Sequence, residues 1–489
     1  MKRMGWIVRF WGPAALLASL LGASSCSDGR GLGEPIRLND TEGGVATFSW
    51  AYYTAIVASG DAVAAAWMNQ NGQVYRDVVV RRSLDGAKTW SDTAVLNAGE
   101  YANTISVTPR LNILPGEQEI LAVWQSRRNE AGQKFVVARR SADFGGTWQA
   151  PTRMNSMPQA FLPAVATSAD GTVVVAYDDE RNVNRDIYAN RSIDAGATWM
   201  PKDVRLDNLP RSESGAPTVA LGADGSAYVV WEERPRSMKG REDLSPQLLG
   251  ASSADRGETW SEPRPVLAKV SEVSPLWPAL VESQGRLTLA WSGGVSGTES
   301  KSWLWLASSS DRGKTWSEPV VVYEGEAQPL YQIVASGSHI YFVWHGSEAA
   351  QKGGVYFNAS DDGGASWRRP WTDPLRLDRP SSEASAALHP RIATFGDANV
   401  AVTWQESNEK ILASVSRDGG LTWPNPPVIV AETPNKDLQT MRYPQVAVTE
   451  NAAYVLWETW TERPEKVKSI GDVNKPAPRD VWVRRLTLS

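Results

Sequence analysis

The sequence predicts an all-β fold, a β-propeller of eight four-stranded blades with seven blades as the alternative. Three observations indicate it. An eight-residue motif occurs seven times at intervals of about 55 residues, the length of a four-stranded blade. Trp is unusually frequent, with 23 in 489 residues, which indicates one packing motif used repeatedly. A segment near the N-terminus has the pattern of an outer strand and stands before the first repeat.

The repeated motif reads Ser-x-Asp-x-Gly-x-Thr-Trp and first occurs at residues 83–90. Its Asp can accept backbone N–H groups in a tight turn, its Gly provides a positive φ, and its Trp covers the turn. Ala87 replaces the Gly in the first copy and predicts a strained turn there, while Ser366 replaces the Thr in the sixth copy. We therefore assign a structural role to the motif aspartates, which are Asp85, Asp143, Asp194, Asp255, Asp311, Asp362 and Asp418.

A second recurrent strand precedes each motif and ends in a large aromatic residue, which predicts a buried packing position. It occurs eight times, at Trp67, Trp124, Tyr177, Trp231, Trp291, Trp344, Trp404 and Trp457. The eighth unit begins near Met441 and contains three strands but no motif. Residues 34–39 match the pattern of the missing outer strand. We expect them to complete the last blade and close the ring, which removes open sheet edges.

The first 25 residues predict a secretory signal, because positive residues precede an apolar run at 10–22 and small residues at 23–25. At roughly 20 residues for a membrane span, the apolar run is too short for a transmembrane helix. The next residue, Cys26, is the only Cys, and Ala-Ser-Ser-Cys resembles the lipobox of bacterial lipoproteins. This resemblance implies that Cys26 is lipidated, and Ser27 implies sorting to the outer membrane, with the leaflet left open. The predicted organisation is a signal at 1–25, a lipidated Cys and tether at 26–33, and one propeller domain at 34–489.

The composition excludes several classes of partner and site. A net charge of −5 provides no basic field for nucleic acid, so we expect contact with a membrane through the lipid anchor only. One Cys and three His exclude an internal disulfide and a Cys/His zinc cage. We expect no metal and no other cofactor. The expected partner is a carbohydrate or an envelope or extracellular protein, and the expected state is a monomer.

The seven motifs resemble the Asp-box, or bacterial neuraminidase repeat, of the sialidase superfamily, and the resemblance covers nearly all of the chain after the tether. It implies a sialidase-like propeller whose boxes lie on the face opposite the active site. In sialidases three arginines hold the substrate carboxylate, a Tyr assisted by a Glu is the nucleophile, and an Asp is the acid/base. The repeats also occur in proteins that are not sialidases, so the function has to be argued from the site.

The sialidase Arg-Ile-Pro motif is absent from this sequence, and its nearest match is Arg442-Tyr443-Pro444 on the last inner strand. Arg110 and Arg391 each follow a Pro on other inner strands. Strict alternation along a strand places these two on the opposite side from Arg442, which favours packing between blades over a shared site. As acid and nucleophile, the candidates are Asp178 or Asp179 with Tyr177, and Tyr443 with Glu458.

The loops that follow the second strands form the face opposite the boxes, where we expect any ligand to bind. They are rich in charge, and their candidate ligand-binding residues are Arg127, Arg181, Glu232, Glu233, His345, Glu406 and Glu458. Two functions remain open. The first is a tethered propeller that binds a glycan or protein partner, and the second is an exo-α-sialidase-type glycoside hydrolase. Convergence of three Arg, a Tyr and two carboxylates favours the enzyme, whereas dispersed and mutually paired charges favour binding.

Overall fold

The structure is a computed structural model that describes residues 31–39, 54–71, 75–102, 104–128, 132–208, 212–235, 246–266, 273–295, 301–325, 329–348, 351–378, 386–433, 440–460 and 479–488. These residues form 32 β-strands and one 3-10 turn at Gly99–Tyr101. Within these ranges, no helix has the length and apolar character that a membrane span needs. The predicted signal at 1–25, Cys26 and most of the predicted tether at 26–33 lie outside the described residues.

The strands form eight four-stranded antiparallel blades, each running from an inner to an outer strand. Blade 1 contains β2 (Thr54–Ser59), β3 (Ala62–Asn71), β4 (Tyr75–Ser83) and β5 (Ala94–Val95). Blade 2 contains β6 (Thr104–Ile113), β7 (Ile120–Arg128), β8 (Lys134–Ser141) and β9 (Thr152–Arg153). Blade 3 contains β10 (Ala160–Thr167), β11 (Val173–Asn182), β12 (Asn184–Ser192) and β13 (Val204–Arg205). Blade 4 contains β14 (Ser212–Leu221), β15 (Ala227–Pro235), β16 (Gln247–Ser253) and β17 (Arg264–Pro265).

The second half of the ring repeats this order. Blade 5 contains β18 (Val273–Ser283), β19 (Arg286–Val295), β20 (Ser302–Ser309) and β21 (Val320–Gly325). Blade 6 contains β22 (Tyr331–Ser336), β23 (His339–Glu348), β24 (Gln351–Ser360) and β25 (Leu375–Arg376). Blade 7 contains β26 (Ala387–Phe395), β27 (Asn399–Glu406), β28 (Lys410–Ser416) and β29 (Val428–Glu432). Blade 8 contains β30 (Thr440–Val448), β31 (Ala452–Trp460), β32 (Arg479–Thr487) and, as its outer strand, β1 (Ile36–Arg37).

The N-terminal strand closes the ring as predicted, since Ile36 pairs with Val483 and Arg37 pairs with Trp482. Just after it, the side-chain oxygen of Asn39 accepts the backbone N–H of Val481 at 3.0 Å. The outer strands of other blades end with the same hydrogen bond, from Val78 to Asn97, from Val136 to Asn155 and from Val355 to Asp378. The predictions of eight blades and of closure by the N-terminal strand are confirmed.

The box turns are held as the motif predicts. In the first box Asp85 accepts hydrogen bonds from the backbone and hydroxyl of Thr89, and Ser83 donates to the same carboxylate. In the second box Trp148 Nε1 donates to the carbonyl of Gly145. Ala87 adopts a φ of 66° at the position where Gly145 has 92°. A side chain is unfavourable in this left-handed region, so the first box carries backbone strain.

The hydrophobic core lies between the blades. Trp124 of blade 2, for example, packs in one buried cluster with Val78 and Val80 of blade 1, and Tyr177 of blade 3 packs with Val136 of blade 2. All eight aromatic residues at the ends of the second strands are buried. Interleaved packing of this kind fixes each blade against its neighbours and explains why Trp is so frequent.

Six inner strands contain a β-bulge at an X-Pro step, and the bulge changes the direction of the functional candidates. In blade 7, Leu388 pairs with Gln405 and Arg391 with Thr403, so three steps on the inner strand match two on its partner. The extra residue, His389, has a φ of 54°. Residues on either side of the bulge therefore project to the same side of the sheet. The expectation that Arg110 and Arg391 point away from the side of Arg442 is wrong for this reason, since blades 2 and 8 contain the same bulge.

Candidate functional site

The loop face, opposite the boxes, is built from the ends of the second strands and the beginnings of the inner strands. The residue after each buried aromatic lies near the loop face, and it is Met68, Gln125, Asp178, Glu232, Ser292, His345, Gln405 or Glu458. In two cases its side chain caps the neighbouring bulge. Gln125 Oε1 accepts the N–H of Leu162 at 3.4 Å, and Glu232 Oε1 accepts the N–H of Trp277 at 2.7 Å. Glu232, a predicted binding residue, thus has a clear role in shaping the rim.

Asp178 occupies the same position in blade 3 and lacks such a partner. It is fully buried, and neither carboxylate oxygen makes a hydrogen bond with another described residue. Arg185 Nε lies 3.4 Å from Asp178 Oδ2. Burial raises the pKa of Asp178 to about 7, and the positive charge of Arg185 limits the rise. Asp178 therefore exchanges a proton near neutral pH, which a carboxyl group needs in order to act as a general acid.

Asp179, the next residue, points to the other side of the blade, and both of its carboxylate oxygens accept hydrogen bonds from Arg181. Its carboxylate pairs with Arg181 at 2.7 Å, and Arg181 also pairs with Asp203 at 2.5 Å. The guanidinium lies 3.8 Å from the ring of Tyr188. Arg181 and Asp179 are thus part of a buried network that holds the loop, and neither presents a free group to a ligand.

Tyr177 belongs to the same network. Its hydroxyl donates to Asp203 at 2.7 Å, and burial together with the charge of Asp203 raises its pKa well above the usual value of 10. A buried phenol that is harder to ionise is a poor nucleophile. The pairing of Tyr177 with Asp178 or Asp179 as nucleophile and acid therefore has no support in this geometry.

The acids of blade 4 are also engaged. Arg234 pairs with Glu232 at 2.5 Å, while Glu233 accepts hydrogen bonds from Ser214 and from the indole of Trp231. Glu233 is buried. The hydrogen bond from Ser214 to Glu233 links the inner strand of blade 4 to its second strand.

The inner strands carry a group of cationic and aromatic side chains in the central channel, which we call the channel cluster: Arg110, His389, Arg391, Arg442 and Tyr443. Arg110 is solvent-exposed, and it has no hydrogen bond or ion pair with any residue in the described ranges. Although the side chain is accessible to solvent, the protein atoms around it partly desolvate the guanidinium, and this desolvation, followed by the charge of Arg391, lowers the pKa of Arg110. Solvent access within protein walls is what a side chain in a water-filled channel experiences.

His389 connects this pair of arginines to Arg442. Burial, followed by the charges of Arg391, His345 and Arg442, lowers the pKa of His389 to about 4, so its ring is neutral at pH 7. Its ring meets that of Tyr443 edge to face, with centroids 5.0 Å apart. The three predicted arginines, on blades 2, 7 and 8, are thus linked electrostatically, Arg110 to Arg391 directly and Arg391 to Arg442 through His389.

Arg442 is flanked by a buried ion pair. Arg479 Nη1 lies 3.3 Å from Glu458 Oε2, and both residues are buried. The guanidiniums of Arg442 and Arg479 lie 4.6 and 3.1 Å from the ring of Trp460. Burial raises the pKa of Glu458, and Arg479 and Arg442 oppose the rise. One carboxylate shared by two guanidiniums leaves an excess of positive charge at this end of the cluster.

The remaining candidates are placed as follows. His345 is buried on β23, and burial lowers its pKa to about 4. Glu406 is buried at the end of β27, opposite Ala387. Arg127 is exposed on β7 and is opposite Lys134 on β8. In the described ranges no three His, Cys, Asp or Glu side chains are grouped so that they could hold a metal ion.

Sequence reasoning missed Arg185, Glu213 and Trp277. Arg185 and Glu213 meet in the structure, since the backbone N–H of Arg185 donates to Glu213 Oε2 at 3.4 Å. Trp277 precedes Pro278 in a bulge like those of His389-Pro390 and Tyr443-Pro444. Aligning the X-Pro steps of the inner strands was the signal that could have found it.

Comparison with known proteins is consistent with the observed repeats. The BNR repeat-like domain family matches residues 65–249 and 248–453, which together make up more than half of the chain. The chain belongs to the BNR repeat-like family. No curated protein matches this family member in a sequence comparison.

Comparison with solved structures finds chains of low similarity to this BNR repeat-like protein. The Hadza microbial sialidase Hz136 is 19% identical, with 71% of each chain covered and a TM-score of 0.39. An α-L-arabinanase of Penicillium chrysogenum, complexed with arabinobiose, is 17% identical over 70% of this chain and 100% of its own, with a TM-score of 0.42. A protein of unknown function from Dyadobacter fermentans is 15% identical over 78% of this chain and 95% of its own, with a TM-score of 0.42.

Proposed function

We propose that this BNR repeat-like propeller binds an acidic glycan on its loop face, with the sugar carboxylate held by the channel cluster. The observation that carries the proposal is that Arg110 is exposed on inner strand β6 without a hydrogen bond or ion pair to a described residue, while the charge of Arg391 acts on it. The two like charges repel each other. An incoming carboxylate relieves this repulsion and can accept paired hydrogen bonds from a guanidinium.

The distribution of acids supports an anionic ligand. The eight inner strands contain Arg110, Arg391 and Arg442, and their two acids are Glu213 and Glu282. Glu213 lies near the beginning of β14 and Glu282 near the end of β18, away from the middle of the channel. The recessed position favours a glycan over a protein partner, because a single sugar can enter a concave site that a flat protein surface does not reach.

The test is binding of the purified full-length chain to a panel of immobilised saccharides that contains uronic acids, sialic acids and neutral counterparts. We expect retention of acidic members, and a loss of affinity of about tenfold or more in R110A and R391A, since hydrogen bonds to charged groups contribute roughly 1.5–3 kcal/mol. R417A is the matched control, because Arg417 is exposed in a box on the opposite face. Equal binding by R110A, R391A and R417A would contradict the proposal.

Hydrolysis of the glycan is the second candidate, and Asp178 is the observation in its favour. Asp178 and Glu213 both contact Arg185, one through the guanidinium and one through the backbone N–H. Two carboxyl groups near one cation, one of them with a pKa raised to about 7, have the character of an acid and its partner in glycoside hydrolysis. Fluorogenic glycosides, an α-sialoside among them, test this. Release by the wild type that D178N abolishes supports it, and equal release by both variants excludes Asp178 as the acid.

We also propose that the chain is tethered to the outer membrane through Cys26, as the lipobox-like segment implies. The net charge of −5 supports attachment by a lipid over electrostatic adsorption to an anionic membrane. A tethered binder of acidic glycans keeps its ligand at the cell envelope.

A further inference from the structure

Trp277 is an exception among the tryptophans of this protein. Twenty of the 23 Trp residues lie in the described ranges, and Trp277 alone among these is exposed, with 58% of its surface accessible. The other nineteen pack wholly or partly in the core or against the boxes. An exposed Trp forgoes the burial of a large apolar surface, so its placement needs another explanation.

The backbone holds Trp277 in an unfavourable conformation. Its φ is 55°, a region that disfavours a bulky side chain, and the next residue is Pro278. Two contacts fix it there: Glu232 Oε1 accepts its N–H at 2.7 Å, and the hydroxyl of Tyr331 donates to its carbonyl. Glu232 is itself held by Arg234 at 2.5 Å. Three side chains from the two flanking blades, 4 and 6, therefore keep an indole on the rim of the channel, and strain of this kind concentrates at functional sites.

The neighbouring blade provides space beside the indole. At the bulge, blade 3 has Leu162 and blade 5 has Trp277, both exposed, whereas blade 4 has Gly215 and Ala216. Because Gly215 and Ala216 are small, they leave a recess between the larger apolar side chains of Leu162 and Trp277. We call this recess the blade 4 notch. A Cβ on Gly215 would lie 3.7 Å from Arg185 Cδ and 4.0 Å from Asp178 Oδ2. One end of the notch is thus polar, with the half-exposed guanidinium of Arg185.

We infer that the blade 4 notch is a second subsite, which binds a neutral sugar ring of the same glycan with one face stacked on Trp277. A sugar ring has an apolar face of C–H groups that suits the surface of an indole, and a polar edge of hydroxyls that suits Arg185. This inference rests on the proposed glycan function. It adds the substrate feature that a neutral sugar is linked to the acidic one, because the notch and the channel cluster both lie on inner strands that surround the same channel.

The experiment compares wild type, W277A, W277F and R391A on the saccharide panel, using acidic oligosaccharides, the matching acidic monosaccharides and neutral oligosaccharides. We expect W277A to weaken binding of acidic and neutral oligosaccharides by about tenfold and to leave acidic monosaccharides unchanged. W277F keeps part of the ring and should recover part of the affinity. R391A should weaken only the acidic members. L421A is the matched control, an exposed apolar residue in a box.

A second readout separates stacking from a structural role. In hydroxyl-radical footprinting, Trp277 should be oxidised in the free protein and protected by a bound acidic oligosaccharide. Unchanged affinity in W277A with no protection of Trp277, while R391A is impaired, overturns the subsite and leaves the proposed function standing. Impairment of W277A alone supports the notch and contradicts the role of the channel cluster. If the wild type retains no saccharide, both proposals are wrong.

Discussion

Asp178 and Asp179 are adjacent in the chain, yet they lie on opposite sides of blade 3 and in opposite electrostatic settings. Asp179 is paired with Arg181 at 2.7 Å, whereas burial raises the pKa of Asp178 to about 7, and no side chain or N–H of another described residue donates a hydrogen bond to its oxygens. Alternation along a strand is the cause, because it directs one carboxylate toward blade 4 and the other into the Arg181 network.

The first prediction follows from this contrast. The folded pKa of Asp178 is above its unfolded value of roughly 3.9, so the folded state binds the extra proton and stability falls as the pH rises from about 4 to about 7. D178N removes the titrating group. In urea unfolding at pH 5 and pH 8, the wild type should lose more stability between the two pH values than D178N does. Equal losses would show that Asp178 does not titrate in this range.

D179N is the companion variant, and we expect it to be destabilised by about 3 kcal/mol at both pH values, because it leaves the buried guanidinium of Arg181 short of a partner. Urea unfolding measures this loss directly. A stability equal to that of the wild type would mean that Asp203 alone satisfies Arg181.

The second prediction concerns the buried pair Glu458–Arg479. E458Q removes the charge that faces Arg479 and Arg442, and we expect a loss of about 3 kcal/mol in the free energy of unfolding. The exposed pair Lys301–Glu324 is the control, and E324Q should have little effect because solvent screens it. Similar effects of the two variants would contradict the distinction between a buried and an exposed pair.

The third prediction tests ring closure. N39A and N97A each remove a side-chain oxygen that accepts a strand N–H, one in blade 8 and one in blade 1. We expect both to lower stability by about 1–3 kcal/mol in urea unfolding, because a buried donor loses its partner. A loss in N97A with none in N39A would mean that the N-terminal strand contributes little to blade 8.

The fourth prediction concerns the tether. The wild-type chain expressed in a bacterium should incorporate radiolabelled palmitate and fractionate with membranes, while C26A should incorporate none. Incorporation of label by C26A would place the modification at another residue. A wild-type chain without label would contradict the predicted lipid anchor.

Most of the fold was predictable from the sequence, because each blade repeats a box and a buried aromatic at fixed spacing. The outer-strand pattern at residues 34–39 ends in Asn39, whose hydrogen bond to a strand N–H recurs at Asn97. Because the pattern matches that of the other outer strands, the sequence was sufficient to predict that this segment closes the ring. The direction of Arg110 and Arg391 was not predictable. A residue before Pro normally prefers an extended conformation, and nothing local indicates that His389 has a positive φ instead.

The candidate site was predictable only in part. Arg110, Arg391 and Arg442 were identified and are linked electrostatically, but Arg181 and Asp179 turned out to be bound to each other. Whether a charged loop residue is free depends on partners distant in sequence, such as Asp203 for Arg181. The exposure of Trp277 could not be predicted from the sequence, because most tryptophans in this chain pack in the core and the exposure of a side chain depends on how neighbouring blades are arranged.

Closure of blade 8 also affects how the protein is made. Asn39 donates a hydrogen bond to the carbonyl of Arg479, a residue 440 positions later in the chain. The first strand to be synthesised thus has to wait for the last, and a copy that stops short of β32 keeps an open edge and an incomplete blade. The joint between β1 and β32 can form only in a chain that contains both strands, so we expect copies that end before β32 to be cleaved by proteases more readily than copies with a closed ring.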